Sequence, residues 1–226
     1  MRSARPIHPS FVRYVLRALK KYGCYTYRQL VDILVERYDD KNVCETALAK
    51  YKIGGSNPML DRALRIVEMS LHLLKDRFPE LLDEIVVDPG LAFLTAYWMS
   101  KQLEGHGIDY VIVPEEWSPI GLLCTMLMEI PMIIARRAGF WWQLPRRVMH
   151  KKVAILSCIV DDSIERLRLT LERYQAQVVK VVGLIGDDGI TMFKSSVLKE
   201  VLNAPGGAKK KARRARRPGR RREGNS

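Results

Sequence analysis

A change of rhythm near residue 84 constrains this 226-residue chain more than any other feature. Beyond it, short runs of β-branched and aliphatic residues take turns with longer stretches of helical character. "DYVIVP" (109–114), "PMIIAR" (131–136), "KKVAILSC" (151–158) and "VVKVVGLIG" (178–186) lack the strict apolar–polar alternation of a half-exposed strand. Strands of that kind are buried on both faces, the condition of a parallel sheet with helices on either side. "PGLAFLTAYWMSKQLEG" (89–105), "PIGLLCTMLMEI" (119–130) and "SIERLRLTLERYQ" (163–175) supply the helices, the first with Pro89 near its start, where a missing N–H costs nothing. "EIVVD" (84–88) reads as a further short apolar run. The expectation is a parallel-sheet α/β domain over residues 85–203.

Residues 1–84 have a different period. Phe11, Val12, Val15, Leu16 and Leu19 make one helical stripe that Gly23 ends. Thr26 and Gln29 have the spacing of a capping box at the start of a second helix, and Asn42 with Glu45 repeats that spacing before a third. "GGSNP" (54–58) breaks the chain, with Ser56 or Asn57 placed to cap a helix over 58–75. Three short helices with a tight turn between the second and third fit either a small helical bundle or a DNA-reading helix-turn-helix. The third helix has few of the Arg, Asn and Gln side chains that read bases.

Net charge is +13, and its placement is uneven. Lys209, Lys210, Lys211, Arg213, Arg214, Arg216, Arg217, Arg220, Arg221 and Arg222 crowd one short stretch, leaving roughly +4 for everything before it. Residues 204–226 cannot bury apolar surface and are expected to be a disordered basic tail. Cys24, Cys44, Cys124 and Cys158 are scattered without pairing or metal spacing, which suits a reducing, cytoplasmic setting. The four histidines have no ligand-spaced neighbours, so no metal and no cofactor is expected. Asp187-Asp188-Gly189 reads as a turn rather than a cation site. The apolar stretch 120–135 is interrupted by Glu129 and Pro131 and is too short to span a bilayer, so no membrane partner is expected.

Residues 85–190 resemble the type I phosphoribosyltransferases. Val113-Pro114-Glu115 stands where that family's first turn begins, Ile130-Pro131 precedes a strand, and Arg136-Arg137 follows it. "VAILSCIVDDSIERLRLTLERYQAQVV" (153–179) resembles the family's diphosphate-sugar motif of strand, paired acids, loop and helix. The resemblance implies that Asp161 and Asp162 contact ribose hydroxyls if the chain is a transferase. An alignment on "VAIL" instead sets Ser157 and Cys158 at those places. With helices in front, the whole also resembles the purine repressor architecture in outline.

The loops depart from the family's pattern. No glycine occurs between Gly139 and Gly183, and Ser163, Ile164, Glu165 and Arg166 stand where a phosphate-wrapping loop has Thr and Gly. Ile resists the positive φ such loops use, and Glu165 would set a negative charge near a phosphate. Ser163 could cap the following helix. Glu116-Trp117-Ser118-Pro119 replaces a Gly-Gly turn. Two lost phosphate grips lead to the expectation of a non-catalytic protein, not an enzyme, that binds nucleic acid on an inherited scaffold. RNA, ribosomal in particular, is preferred over DNA because a flexible Arg-rich thread suits folded RNA. Besides the tail, Arg136, Arg137, Trp141, Trp142, Arg146 and Arg147 interleave aromatics with cations. They could stack on unpaired bases, close the old pocket or pack a homodimer of the α/β domain. The alternatives are a helix-turn-helix transcription regulator and a divergent phosphoribosyltransferase using Asp161 and Asp162.

Overall fold

The computed structural model describes residues 8–136 and 144–197. The helical part runs α1 (Val12–Ala18), α2 (Tyr27–Tyr38), α3 (Glu45–Ile53), α4 (Leu60–Leu74) and the single turn α5 (Leu82–Ile85). Residues 84–88 are therefore not a strand. Asp88 caps the next helix by accepting from the Gly90 and Leu91 amides, so the chain is committed to helix there. The capping box at α2 is present, with the Gln29 amide 3.2 Å from Thr26 Oγ1 and the Thr26 amide 2.8 Å from Gln29 Oε1. The other two expected caps are not. α3 starts after Cys44 and α4 after Met59, each without a side-chain bond to its first turn.

The α/β part follows as α6 (Pro89–Leu103), β1 (Tyr110–Pro114), α7 (Ser118–Met128), β2 (Met132–Ala135), α8 (Leu144–Val148), β3 (Lys152–Ile159), α9 (Asp162–Arg173), β4 (Gln177–Ile185) and β5 (Ile190–Phe193). The described strands form a five-stranded sheet in the order β2-β1-β3-β4-β5, with every neighbouring pair parallel. The fold is α/β, with the added helices in front of it.

Side-chain alternation along each strand divides the core in two. Val111 and Val113 of β1, and Ala154, Leu156 and Cys158 of β3, face α6, α7 and the N-terminal helices. Ile112, Val153 and Ile155 face the other way, onto Ile164, Leu167 and Leu171 of α9 and Val148 of α8. Two glycines permit the first packing. A Cβ on Gly90 would lie 2.3 Å from the Tyr14 carbonyl, so α6 touches the backbone of α1. A Cβ on Gly121 would lie 2.5 Å from a Val113 methyl, so α7 rests on β1. Phe11 stacks on Phe93 with ring centroids 4.5 Å apart, carrying the core from the N-terminal helices into α6.

One polar contact braces this side. The sequence reads "DDKN" (39–42) as a plain turn, but Asp40 is only 5% exposed. Its two carboxylate oxygens accept from Arg62 Nε at 2.7 Å and a terminal Arg62 nitrogen at 2.8 Å. The forked geometry ties the α2–α3 turn to α4. Arg62 holds the Asp40 carboxyl below its ordinary value of 3.8, its hydrogen bond being the chief cause, while burial works against the shift.

Candidate functional site

In an open parallel sheet the chain reverses its direction of winding at one place, and a crevice opens outside the carboxyl ends of the strands there. Here the reversal falls between β1 and β3, because β1 leads outward to β2 while β3 leads the other way to β4. A cleft of about 630 Å³ opens beside that point, within the usual size range of small-molecule sites. Pro114 and Glu116 line it from the end of β1, Arg136 from the end of β2, and Asp161, Ser163 and Arg166 from the start of α9.

β3 decides which residues reach this cleft. Ser157 and Cys158 lie inside the strand, 1% and 0% exposed. The Ser157 hydroxyl donates to the Ile159 carbonyl at 2.6 Å, and burial pushes the Cys158 thiol far up. Neither can meet a ligand. Asp161 stands three residues further on, in the cleft. Of the residues the two alignments offer, Asp161 alone lines this cleft.

Asp161, not Ser163, is the cap of α9. Its Oδ1 accepts from the Ser163 amide at 2.9 Å and from the Ser163 hydroxyl, while its carbonyl accepts from the Ile164 amide at 3.0 Å. The positive end of the helix is thus met first by a carboxylate of its own chain. Asp162 opens the helix but is absent from the residues lining the cleft. Arg136, expected from sequence to hold nucleic acid, lines the cleft and holds Glu115 with a nitrogen–oxygen distance of 3.3 Å. Arg146 and Arg147 are exposed on α8. Arg137, Trp141, Trp142 and the whole series from Lys209 to Arg222 lie outside the described residues.

Arg166 and Thr170 also line the cleft, and the sequence reading gave them no binding role. A signal for them existed. Ile164, Leu167 and Leu171 bury one stripe of α9, and Ser163, Arg166 and Thr170 form the adjoining stripe at positions i, i+3 and i+7. Two acids, Glu116 and Asp161, and two bases, Arg136 and Arg166, give the cleft both signs of charge. Such a site can accept hydrogen bonds from hydroxyls on one side and neutralise anionic oxygens on the other. Among the described residues no group of three His, Cys, Asp or Glu is placed to hold a metal ion. No described helix is long and apolar enough to cross a membrane.

No family model matches the sequence, and no curated protein matches it. Solved structures do. A Leishmania donovani UMP synthase is similar over 74% of this chain, with 15% identity and a TM-score of 0.45; the match spans 44% of that protein. A purine phosphoribosyltransferase from Pyrococcus horikoshii is similar over 46% of this chain and 80% of its own, with 13% identity and a TM-score of 0.36. The chain has an α/β fold similar to theirs. The expectation of a non-catalytic scaffold is corrected here. The similar structures are a synthase and a transferase.

Proposed function

We propose that the chain is a divergent phosphoribosyltransferase working at this cleft. The observation that carries the reading is Asp161, which stands at the carboxyl end of β3 and lines an open cleft beside the β1–β3 reversal. Its carboxylate is placed to accept from the hydroxyls of a ribose. Arg136 and Arg166 neutralise phosphate oxygens by side-chain charge, in place of the backbone grips that glycine-rich loops would provide. Glu116 offers a second carboxylate, able to take a proton from an attacking nitrogen as the bond to diphosphate breaks.

The test is release of diphosphate from phosphoribosyl diphosphate by the full chain, across a panel of purine and pyrimidine bases. Asp161→Asn is expected to lower turnover by about 10²–10³-fold, the range for losing one preorganised contact to a developing charge. Asp162→Asn, outside the cleft, is expected to leave it within about twofold by the same reasoning. No diphosphate release with any base, together with no heat of binding for the sugar diphosphate, would sink the proposal.

The basic tail supports a second, independent property. Ten Lys and Arg between 209 and 222 suit the phosphates of a nucleic acid, RNA before DNA. Deleting residues 207–226 is expected to abolish RNA retention at moderate salt and leave the cleft's ligand affinity unchanged. Equal RNA binding after the deletion would remove the tail from the account.

A further inference from the structure

We propose that the outward stripe of α1, with the end of α3 beside it, is a binding surface for single-stranded RNA. No acidic residue occurs before Asp32, while Arg13, Arg17, Lys20, Lys21 and Arg28 fall between residues 8 and 31. α1 buries Val12, Val15, Leu16 and Ala18, and its continuation buries Leu19 and Tyr22. That packing leaves Arg13, Arg17 and Lys20 on the outer face, at positions i, i+4 and i+7. The stripe is about 10 Å long at 1.5 Å per residue.

Among the described residues these three cations meet only neutral groups. Arg13 lies over the Tyr14 ring, 4.4 Å from its centroid, and donates to the Tyr14 hydroxyl. Arg17 Nε donates to the Lys52 carbonyl at 3.2 Å, which brings the last turn of α3, with its Lys50 and Lys52, beside the stripe. A Cβ on Gly54 would lie 3.7 Å from Arg13, so the same end of α3 reaches the start of the stripe. Lys20 lies over the Tyr27 ring, 4.7 Å from its centroid. Lys21 differs, standing 3.7 Å from Glu84 and 3.5 Å from Asp88. The acids at α5 and at the α6 cap thus neutralise one flank of α1 and not the other.

Charge of one sign without internal neutralisation suits a polyanion. Between residues 8 and 31 no large aliphatic side chain is exposed, so the stripe has nothing to insert into a lipid surface. Tyr14 and Tyr27 are half-buried, each stacked with a cation. Unpaired bases stack on aromatic rings and guanidinium planes while cations hold the phosphates between them. Asp and Glu side chains of an acidic peptide would meet the charge but have no flat ring to lay on these pairs. RNA loops leave bases unstacked, which duplex DNA does not. α1 packs on α6, on the face of the sheet away from the cleft, so the surface rests neither on the transfer reaction nor on the basic tail. Its few phosphate contacts make it a low-salt site.

A fluorescent oligouridine is titrated with the full chain across a range of salt. Arg17→Ala with Lys20→Ala is expected to reduce the slope of log affinity against log salt by about 1.4, at about 0.7 per phosphate contact on a single strand. Lys41→Ala with Lys101→Ala removes the same charge from cations paired to Asp39 and Glu104, and is expected to leave the slope unchanged. A second measurement needs no variant. The wild-type chain is irradiated with a bromouridine oligonucleotide, and crosslinked peptides are identified by mass spectrometry, with Tyr14 or Tyr27 expected among the sites. Crosslinks confined to residues 207–226 overturn this surface and leave the role of the tail standing. Crosslinks at Tyr14 or Tyr27 alone sustain it and remove the tail. An equal slope in both double variants, tighter binding to a DNA duplex of the same length, or equal displacement of the oligouridine by polyglutamate also overturns the proposal.

Discussion

The two faces of the sheet are built for different tasks. One face is covered by α6 and α7, and behind them lie α1 to α4, so its core runs from Val12 to Ile185 without a break. The other is covered mainly by α9 and α8 and borders the cleft, and among the described residues its core has nine buried members. Apolar burial contributes roughly in proportion to area, so the deep face supplies most of the stability. The thin face leaves room for a ligand and keeps polar side chains at the strand ends in reach of it. Elements with fewer described layers over them are expected to open locally at lower cost.

The comparison breaks or sharpens under substitution. Phe93→Ala, which empties a ring site 1% exposed and removes the stack on Phe11, is expected to cost about 3–5 kcal/mol in urea unfolding. A cost under about 1 kcal/mol would mean the N-terminal helices are not anchored through α6. Asp40→Ala leaves Arg62 without its carboxylate partner and is expected to cost about 3 kcal/mol, at the low end for a largely buried pair because Arg62 is partly exposed. The folded carboxyl titrates below its unfolded value near 3.8. Its contribution is therefore whole above that pH and lost as pH falls through the lower folded value. Wild type and Asp40→Ala should differ at neutral pH and converge in strong acid; a constant gap would show that the ion pair is not the cause.

On the thin face, Leu171→Ala is expected to cost about 2–3 kcal/mol, less than Phe93→Ala because the sparse cover over α9 can collapse onto the site. A cost equal to that of Phe93→Ala would erase the distinction between the faces. Asp161→Ala removes the α9 cap and is expected to cost about 1 kcal/mol of stability while removing ligand binding. A stability loss without a binding loss would make Asp161 a cap and nothing more.

Which parts of this were legible in advance depends on the range of the interaction. Runs rich in β-branched and aliphatic residues at 109–114, 131–136, 151–158 and 178–186 announced the parallel strands, though not the partial exposure of β2 and the start of β4, since period and composition act within a few residues. The Thr26–Gln29 box was legible for the same reason. "EIVVD" misled because five apolar-rich residues carry no usable period, and the Asp88 cap decided the matter. The Asn42 and Ser56 or Asn57 caps failed because spacing alone does not fix where the preceding turn releases the chain. At the site, the pair of acids was visible, but not that Asp161 would face the cleft and Asp162 would not.

By itself, then, the sequence determined the alternation of strand and helix that makes the sheet parallel, and the separation of a basic tail from a mildly charged body. Tertiary structure alone decided the strand order, the reversal beside which Arg136, Asp161 and Arg166 come together, and the pairing of Asp40 with Arg62. The physical reason is that helix and strand are chosen by forces acting over a few residues. Strand order and side-chain meetings are chosen by which distant segments bury most surface against one another, and no local period records that.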